Sequence, residues 1–339
     1  MALRRRATDD TSTPLDGVDV ILADLDGVVY RGEHAIAHAV ESLNAASRSA
    51  RVGYLTNNAS RTDTAVATHL SDLGLTVAPA DVVTSPQAAM RLLARRVEPG
   101  ATVLVVGGDG LVDELTKAGY GVTRSADDGP AAVVQGFSKD VGWRDLAEAS
   151  FALGSDADMP WIATNTDWTL PVERGLAPGN GTLVSAVHSA VGRLPEVAGK
   201  PETPIFDAAT ERFAARHPLF IGDRLDTDIL GANRAGMDSL MVLTGVDHAK
   251  QLIAVDRNSR PTFIVEDLRG LHEAYPKTVF SRDRRSATVR NATVRVAGNL
   301  VEIVKDGDSS IDLLRAACAA IWESGQAIYA LDVPERLYT

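Results

Sequence analysis

The sequence predicts an α/β protein with a parallel sheet, and two features indicate it. Short apolar runs alternate with longer helical stretches along most of the chain, the order typical of βαβ units. The runs at residues 20–23 and 219–221 lack polar residues, so each predicts a strand buried on both faces of a sheet. Both runs end in acidic residues. Because ligands of open α/β sheets bind beyond the carboxyl ends of the strands, the chemistry is expected there.

Composition limits the classes of partner and compartment. The chain has 339 residues, enough for two or three domains with sizeable cores. Its formal net charge of −11 argues against nucleic acid and anionic membranes as partners, because there is no basic excess to release counterions. Cys318 is the single cysteine, so neither an intrachain disulfide nor a cysteine zinc site is expected.

The N-terminus predicts a cytoplasmic protein. No apolar run approaches the ~18 residues of a membrane span, and the start of the chain carries no signal-peptide core. Arg4, Arg5 and Arg6 are followed at once by Asp9 and Asp10, which favours a frayed tail over a targeting or nucleic-acid arm.

Asp24 and Asp26 follow the first apolar run, two residues apart. Their side chains can converge on one point, where two carboxylates repel each other unless a proton or a cation lies between them. Mg²⁺, which prefers oxygen ligands, would remove that cost, and the pair could then divide into a nucleophile and a proton shuttle. A metal site without catalysis and a pair of solvated loop carboxylates are the alternatives that these two residues leave open.

Polar groups also follow a second strand, predicted at residues 52–55. Thr56, Asn57 and Asn58 offer a hydroxyl and main-chain N–H groups before a helix, which suits an oxyanion, although they could serve only to turn the chain. Lys200, in a Gly-Lys-Pro sequence, is a compact charge suited to a phosphate oxygen. Its alternative is an ordinary solvated lysine in a surface loop.

A further acidic cluster follows the run at residues 219–221. Asp223 occupies a strand end as Asp24 does, which makes it a candidate third carboxylate for the same ion. Asp226 and Asp228 follow closely, and three acids at one strand end need a cation or a helix N-terminus to tolerate one another.

Between these motifs, residues 80–195 repeat the alternation of strands and helices and predict a second α/β unit. Its glycine-rich residues 107–110 do not complete a dinucleotide-binding fingerprint, because Asp113 stands where the third glycine belongs. Residues 165–168 and 178–181 lie in predicted loops, either to contact a ligand or as ordinary connections.

Four pieces of the sequence together resemble the signature motifs of the haloacid dehalogenase (HAD) superfamily. They are residues 24–28, 55–58, 199–201 and 222–228. The Thr-Asn-Asn and Gly-Lys-Pro forms, with the long insert between them, resemble the capped branch that contains p-nitrophenylphosphatases, phosphoglycolate phosphatases and glycerol-3-phosphate phosphatases. The similarity covers residues 16–271.

The resemblance implies a role for each acidic residue of the motifs. Asp24 would be the nucleophile that forms an aspartyl-phosphate, and Asp26 would protonate the leaving group and then activate water. Mg²⁺ would bind a carboxylate oxygen of Asp24, the main-chain carbonyl of Asp26 and the carboxylate of Asp223. Asp228 would support these ligands without binding the ion directly.

The resemblance also implies the reaction, hydrolysis of a small phosphate monoester. Thr56, Asn57, Asn58 and Lys200 would bind the transferring phosphoryl group, where charge neutralisation matters most. Glycerol 3-phosphate is the favoured substrate; the alternatives are 2-phosphoglycolate or a sugar, nucleotide or pyridoxal phosphate, a phosphotransferase reaction, and regulatory binding without turnover. The dehalogenases of the superfamily lack the second aspartate, so Asp26 argues against haloacid chemistry.

Three domains are expected. A Rossmann-like catalytic core is implied at residues 15–79 and 196–275, with an inserted α/β cap at residues 80–195 that closes over it. Residues 277–339 lie beyond the resemblance and predict a small α+β module of order ββαβ, whose last strand is expected at residues 326–333.

The C-terminal module is expected to be stable only when it packs against another domain or another copy of the chain. Its helix carries an apolar stripe from Ile311 to Trp322, and a unit of this size buries too little surface to be stable alone. The stripe would cover the core domain or a second copy of the chain, so a homo-oligomer through this module or the cap is one expected outcome. The module faintly resembles half of a GCN5-type acetyltransferase domain without its glycine-rich cofactor loop, and acetyl transfer is not predicted.

Overall fold

The computed structural model describes residues 11–172 and 174–339, so the arginines near the N-terminus lie outside the described part. The strands are β1 (Val20–Ala23), β2 (Tyr30–Arg31), β3 (His34–Ala35), β4 (Arg51–Thr56), β5 (Val82–Thr84), β6 (Thr102–Val106), β7 (Gly121–Thr123), β8 (Ala132–Gln135), β9 (Trp161–Ala163), β10 (Thr169–Val172), β11 (Gly175–Pro178), β12 (Glu196–Val197), β13 (Pro218–Gly222), β14 (Asp238–Val242), β15 (Phe263–Val265), β16 (Thr278–Phe280), β17 (Ser286–Val289), β18 (Ala292–Ala297) and β19 (Leu300–Lys305). The α-helices are α1 (Ala39–Ala46), α2 (Asp63–Asp72), α3 (Ser85–Leu93), α4 (Asp109–Lys117), α5 (Trp143–Ser155), α6 (Asn180–Val191), α7 (Pro204–Phe213), α8 (Leu230–Arg234), α9 (Ala249–Ala254) and α10 (Ser310–Ser324).

The described residues pack as two compact units. The first contains residues 11–31, 35–51 and 217–339; the second contains residues 32–34, 52–172 and 174–216. The boundaries of the three domains expected from the sequence stay a prediction. No helix in the described ranges is long and apolar enough to cross a membrane.

The first unit contains a parallel sheet whose strands lie in the order β15-β14-β13-β1. Every residue of β1 is buried, as the uninterrupted apolar run predicted. In the register of β1 and β13, Ala23 lies opposite Ile221, so the residues that follow them come out side by side at the carboxyl end of the sheet. This register is what brings the first and last acidic motifs together.

The second unit contains a five-stranded parallel sheet in the order β12-β9-β8-β6-β7. The predicted alternation of strands and helices in residues 80–195 is therefore confirmed. β4 also pairs with β5 in parallel. β10 and β11 form an antiparallel hairpin that was not predicted.

The C-terminal residues form an antiparallel sheet of order β16-β17-β18-β19, followed by α10. Gly298 and Asn299 form the two-residue turn between β18 and β19, with Ala297 opposite Leu300. The predicted last strand at residues 326–333 is wrong. A short 3₁₀ turn occupies Ile328–Ala330, and only a single bridge joins Leu300 to Asp332.

Pro334 explains why the pairing does not extend beyond this bridge. The bridge uses the N–H groups of Val301 and Asp332, and Pro334, two residues later, has no N–H to continue a ladder. The module is therefore four strands and a helix, not ββαβ.

The helix stripe packs within its own unit, as one of the two alternatives predicted. Leu314, Cys318 and Ile321 of α10 belong to a buried apolar cluster that also contains Ile229 and Ile264 from outside the module. The module therefore shares a core with the parallel sheet of this unit.

A buried ion pair fastens this shared core. Asp312, 1% exposed, accepts hydrogen bonds from Arg290 Nη1 at 3.1 Å and Arg315 Nη1 at 2.7 Å. Arg315 also donates from Nε and Nη2 to the carbonyl oxygen of Ile264 in β15, and its guanidinium lies 4.6 Å from the ring centre of Tyr275. Asp312 thus holds the arginine that bridges the module and the parallel sheet.

Replacing Asp312 by alanine is expected to destabilise the protein by about 3–5 kcal/mol, because it leaves the charges of Arg315 and Arg290 without their carboxylate. Urea unfolding would measure the change. The matched control is Asp306→Ala, which breaks an exposed ion pair with Arg336 and should hardly change the unfolding midpoint. Equal midpoints for the two variants would contradict the anchoring role of Asp312.

Candidate active site

Three carboxylates of the first unit converge beyond the carboxyl ends of β1 and β13. Asp24, Asp223 and Asp228 each place one oxygen atom within 4.8 Å of the other two. Their exposed fractions are 9%, 1% and 0%. Three negative charges held this close and this far from solvent repel one another strongly, so the arrangement favours a bound cation.

The sheet and one helical turn place these side chains. Asp24 continues the β1 ladder, since its N–H donates to the carbonyl oxygen of Ile221 at 2.9 Å. After Asp223 the chain makes a wide turn in which the N–H of Ile229 donates to the carbonyl oxygen of Arg224, five residues back. Such π-type turns are rare and are often found at functional sites. Here the turn places the side chain of Asp228 next to the carboxyl end of β13.

Main-chain N–H groups fix the orientation of two of the carboxylates. Asp228 Oδ2 accepts from the N–H groups of Asp223 at 3.1 Å and Arg224 at 3.2 Å. Asp223 Oδ2 accepts from the N–H of Val246 at 2.7 Å. A Cβ atom added to Gly27, whose φ is +83°, would overlap the Asp223 carboxylate, so glycine is needed there for close approach. The resemblance places Asp228 behind the metal ligands, and the structure shows that it both belongs to the cluster and supports it.

Asp226 and Asp26 take other positions. Asp226 is exposed and pairs with the guanidinium of Arg224, with Nη2 3.0 Å from Oδ2. Asp26 is exposed in the tight turn after β1, where the N–H of Gly27 donates to the carbonyl oxygen of Tyr30. Among the described residues, the side chain of Asp26 is not part of the three-carboxylate cluster. Metal binding by its main-chain carbonyl stays a prediction.

The sequence reasoning missed Asp247, which lies beside this cluster. Its Oδ2 accepts from the N–H of Leu225 at 2.7 Å, and its own N–H donates to the carbonyl oxygen of Asp223. Burial raises the pKa of Asp247, and the charges of Asp226 and Asp228 raise it further, whereas the Leu225 N–H lowers it. An acid shortly after the β14 strand end was the available signal.

The second unit holds the predicted phosphate-binding residues. Thr56 and Lys200 are buried, with exposed fractions of 4% and 3%. The Oγ1 atom of Thr56 accepts from the N–H of Asn58 at 3.1 Å. A lysine this inaccessible to water is not the solvated surface residue that the sequence left as its alternative.

The two asparagines after Thr56 have different surroundings. Asn57 is half-buried, and its side chain pairs with the main chain of Lys200. Asn58 is exposed, and its Oδ1 accepts from the N–H and the hydroxyl of Ser60. The side chain of Asn58 thus serves a local turn, and its assignment to phosphate binding stays a prediction.

The loops at residues 165–168 and 178–181 support one another. Asn180, fully buried at the start of α6, donates to the carbonyl oxygen of Asn165 at 2.7 Å. Asn165 donates in turn to the carbonyl oxygen of Asn57 at 2.7 Å. These two asparagines are therefore structural supports of the Asn57 segment, whereas Trp168 of the same loops is 65% exposed.

The acidic cluster fits a hard divalent cation. All three candidate ligands offer carboxylate oxygens, and no histidine or cysteine joins the groups found among the described residues. Mg²⁺ and Ca²⁺ prefer such donors, whereas zinc sites are dominated by nitrogen and sulfur. The cluster is thus of the kind that holds Mg²⁺.

Comparison with known proteins agrees with this site. Residues 21–121 match the haloacid dehalogenase-like hydrolase family, and residues 197–271 match the HAD-hydrolase-like family. The chain is 44% identical over 317 residues to the D-glycerol 3-phosphate phosphatase of Mycobacterium tuberculosis, covering 91% of this chain and 87% of that protein. It is 37% identical over 271 residues to the glycerol-3-phosphate phosphatase of Gallus gallus, covering 74% of this chain and 87% of that protein.

A solved structure extends the similarity to the fold. The crystal structure of the M. tuberculosis glycerol phosphate phosphatase in complex with magnesium matches with a TM-score of 0.82 at 42% identity, covering 92% of this chain and 93% of that one. The resemblance that the four motifs suggested is confirmed: the chain belongs to the haloacid dehalogenase-like hydrolases.

Proposed function

We propose that this protein is a Mg²⁺-dependent phosphatase that hydrolyses a small phosphate monoester, glycerol 3-phosphate. The observation that carries the proposal is the convergence of Asp24, Asp223 and Asp228 within 4.8 Å at the ends of parallel strands. Two relatives, which are 44% and 37% identical to this chain, are phosphatases of that ester. The charge of −11 is consistent with a small substrate and not a polymeric one.

The chain's own residues supply the covalent chemistry. Asp24 attacks phosphorus and forms an aspartyl-phosphate, while Asp26 gives a proton to the leaving oxygen. Asp26, now a carboxylate, takes a proton from the water that attacks the intermediate, and phosphate leaves with Asp24 restored. The exposure of Asp26 suits a group that must exchange protons twice in each cycle.

Positive charge and hydrogen-bond donors hold the transferring group. Lys200 and Thr56 bind the phosphoryl oxygens, with the main-chain N–H of Asn57. Asp24, Asp223 and the main-chain carbonyl of Asp26 would hold Mg²⁺, with Asp228 supporting them. When bound, Mg²⁺ neutralises charge that develops on the phosphoryl oxygens.

A panel of phosphate esters tests the substrate. With Mg²⁺ present, kcat/KM for glycerol 3-phosphate is expected to exceed that for 2-phosphoglycolate and for sugar, nucleotide and pyridoxal phosphates by about tenfold or more, which is about 1.4 kcal/mol of transition-state binding. If another ester had the highest kcat/KM, the proposed substrate would be wrong but the assignment as a phosphatase would stand. No release of phosphate from any ester, p-nitrophenyl phosphate included, would refute the phosphatase.

Two measurements address the remaining expectations. When an alcohol is added as a possible acceptor, the phosphatase should still release one phosphate for each molecule of ester that is cleaved. A phosphotransferase would release less phosphate, because some of the phosphoryl groups would be transferred to the added alcohol. Light scattering would measure self-association, which stays a prediction. Localisation in the cytoplasm also stays a prediction from the sequence.

A further inference from the structure

The side chain of Asn57 makes a two-point contact with the main chain of Lys200. Its Oδ1 accepts from the Lys200 N–H at 2.9 Å, and its Nδ2 donates to the Lys200 carbonyl oxygen at 3.0 Å. Nδ2 also donates to the carboxylate of Asp167, 3.1 Å from Oδ1 and 3.3 Å from Oδ2. Both hydrogen atoms of the amide are thus directed at protein groups, since an asparagine has two such donors.

These partners determine which way the amide faces. A rotated amide would set its NH₂ against the N–H of Lys200 and its oxygen against two acceptors, the Lys200 carbonyl and the Asp167 carboxylate. The network therefore admits one orientation. The Asp167 charge also strengthens the hydrogen bond that it receives.

The chain before Lys200 is fitted to this contact. A Cβ atom on Gly199 would lie 2.5 Å from Asn57 Oδ1 and 2.5 Å from the carbonyl oxygen of Thr164. Any larger residue there would push the Lys200 segment away from Asn57. The glycine of the Gly-Lys-Pro sequence thus serves the approach of the asparagine.

Two other side chains bind the main chain of Asn57. Its carbonyl oxygen accepts from Ser85 Oγ at 2.8 Å and from Asn165 Nδ2 at 2.7 Å. Asn165 is 3% exposed and is held in turn by Asn180, which is 0% exposed. A chain of buried amides therefore fixes Asn57 relative to the strand ends of this unit.

Lys200 has particular need of such a support. Its ammonium is a point charge at the end of a flexible four-carbon stem, so its location depends on where the main chain is held. An error of about 1 Å in the position of a catalytic group can cost on the order of 10²-fold in rate. The Asn57 contact fixes the main chain of Lys200 on both sides of its Cα atom.

We propose that the side chain of Asn57 is a positioning residue for Lys200 and is not itself a phosphate ligand. The inference rests on the proposed function, in which Lys200 binds the phosphoryl group. It revises the role that the family resemblance implied for Asn57, leaving only its main chain to contact phosphate.

A double-mutant cycle distinguishes positioning from direct binding. Asn57→Ala is expected to lower kcat/KM by about 10²-fold and Lys200→Ala by about 10³-fold. The double variant should lie within about threefold of Lys200→Ala, because a positioning residue loses its effect when the group that it positions is gone. Direct phosphate binding by Asn57 would instead multiply the losses to about 10⁵-fold, which would overturn the proposal.

Two controls separate positioning from general damage. Asn57→Asp keeps the acceptor for the Lys200 N–H but places an oxygen against the Lys200 carbonyl and Asp167. It should repeat the loss of Asn57→Ala in the parent and again have no effect in Lys200→Ala, and it decides the question if the alanine variant does not fold. Asn299→Ala, at an exposed turn of the first unit, should retain the parent's kcat/KM.

A binding readout keeps this inference separate from the proposed function. The same cycle is measured on the Kd of inorganic phosphate by calorimetry, where Asn57→Ala should weaken binding only while Lys200 is present. Inactivity of the parent on every ester would refute the phosphatase but leave this cycle interpretable. Equal weakening with and without Lys200 would refute the positioning role even in an active enzyme.

Discussion

Replacing Asp24 by asparagine is expected to lower kcat by on the order of 10³-fold or more while the fold is retained. Asparagine has nearly the same shape as aspartate, and the N–H of residue 24 would still donate to the carbonyl oxygen of Ile221 in the β1–β13 ladder. The amide, however, is a far weaker nucleophile than a carboxylate. The aspartyl-phosphate therefore cannot form at a useful rate.

Burst kinetics with p-nitrophenyl phosphate make this test specific. Asp26→Asn is the matched control, because the same change is made two residues away and p-nitrophenolate leaves without much help from an acid. Asp26→Asn should still release about one equivalent of nitrophenolate per active site before it stalls at the phosphoenzyme. Asp24→Asn should show no burst, and a burst from Asp24→Asn, or a kcat within about tenfold of the parent, would remove Asp24 from the role of nucleophile.

The approach of Asp24 to Asp223 was predictable because each residue belongs to a local sequence pattern. An apolar run that ends in acid marks a buried strand and its carboxyl end, and such a run precedes both Asp24 and Asp223. Parallel pairing of β1 and β13 then brings the two ends together. Sequence reasoning needed only the assumption that the two strands are neighbours.

Long-range hydrogen bonds could not be predicted in this way. The contact between Asn57 and Lys200 spans 143 residues, and nothing in a Thr-Asn-Asn sequence shows whether an amide binds a ligand or a distant main chain. Asp247 was missed for a related reason. Asp247 lies several residues beyond the end of β14, so it does not match the pattern of an acid at a strand end. The turn that returns it to the cluster is not evident from the sequence.

The error in the C-terminal module arises where tertiary context overrides local preference. The strand expected at residues 326–333 does not form, because Ile328–Ala330 make a 3₁₀ turn and Pro334 has no N–H to extend the single bridge at Asp332. A segment that favours a strand locally becomes one only where a neighbouring strand can continue the ladder.

Removing Asp223 is expected to abolish the response to Mg²⁺, with a loss of about 10²- to 10⁴-fold in kcat at saturating metal. A metal bound at the phosphoryl group supplies several kcal/mol of transition-state stabilisation, which corresponds to that range. Asp223 is 1% exposed and belongs to the carboxylate cluster. Alanine at this position therefore removes a buried ligand, and no exposed side chain takes its place. Excess EDTA should have the same effect on the parent, and Mg²⁺ should reverse it.

Thermal unfolding gives a readout that does not depend on turnover. Mg²⁺ should raise the Tm of the parent, because an ion that binds only the folded protein stabilises it. Ca²⁺ should also raise the Tm yet support turnover poorly, since its larger and looser coordination suits the site but not the transition state. In Asp223→Ala both ions should lose most of their effect on the Tm. The same variant without metal should be at least as stable as the parent, because one of three mutually repelling carboxylates is gone.

Asp226→Ala is the matched control for Asp223→Ala. Asp226 lies three residues further along the same acidic sequence, but it is exposed and paired with Arg224. Its replacement should leave the Mg²⁺-dependent rise in Tm and the restoration of activity after EDTA nearly unchanged. If Asp226→Ala lost the metal response and Asp223→Ala kept it, the ion would have to bind elsewhere in the acidic loop, and the three-carboxylate cluster would have no role in metal binding.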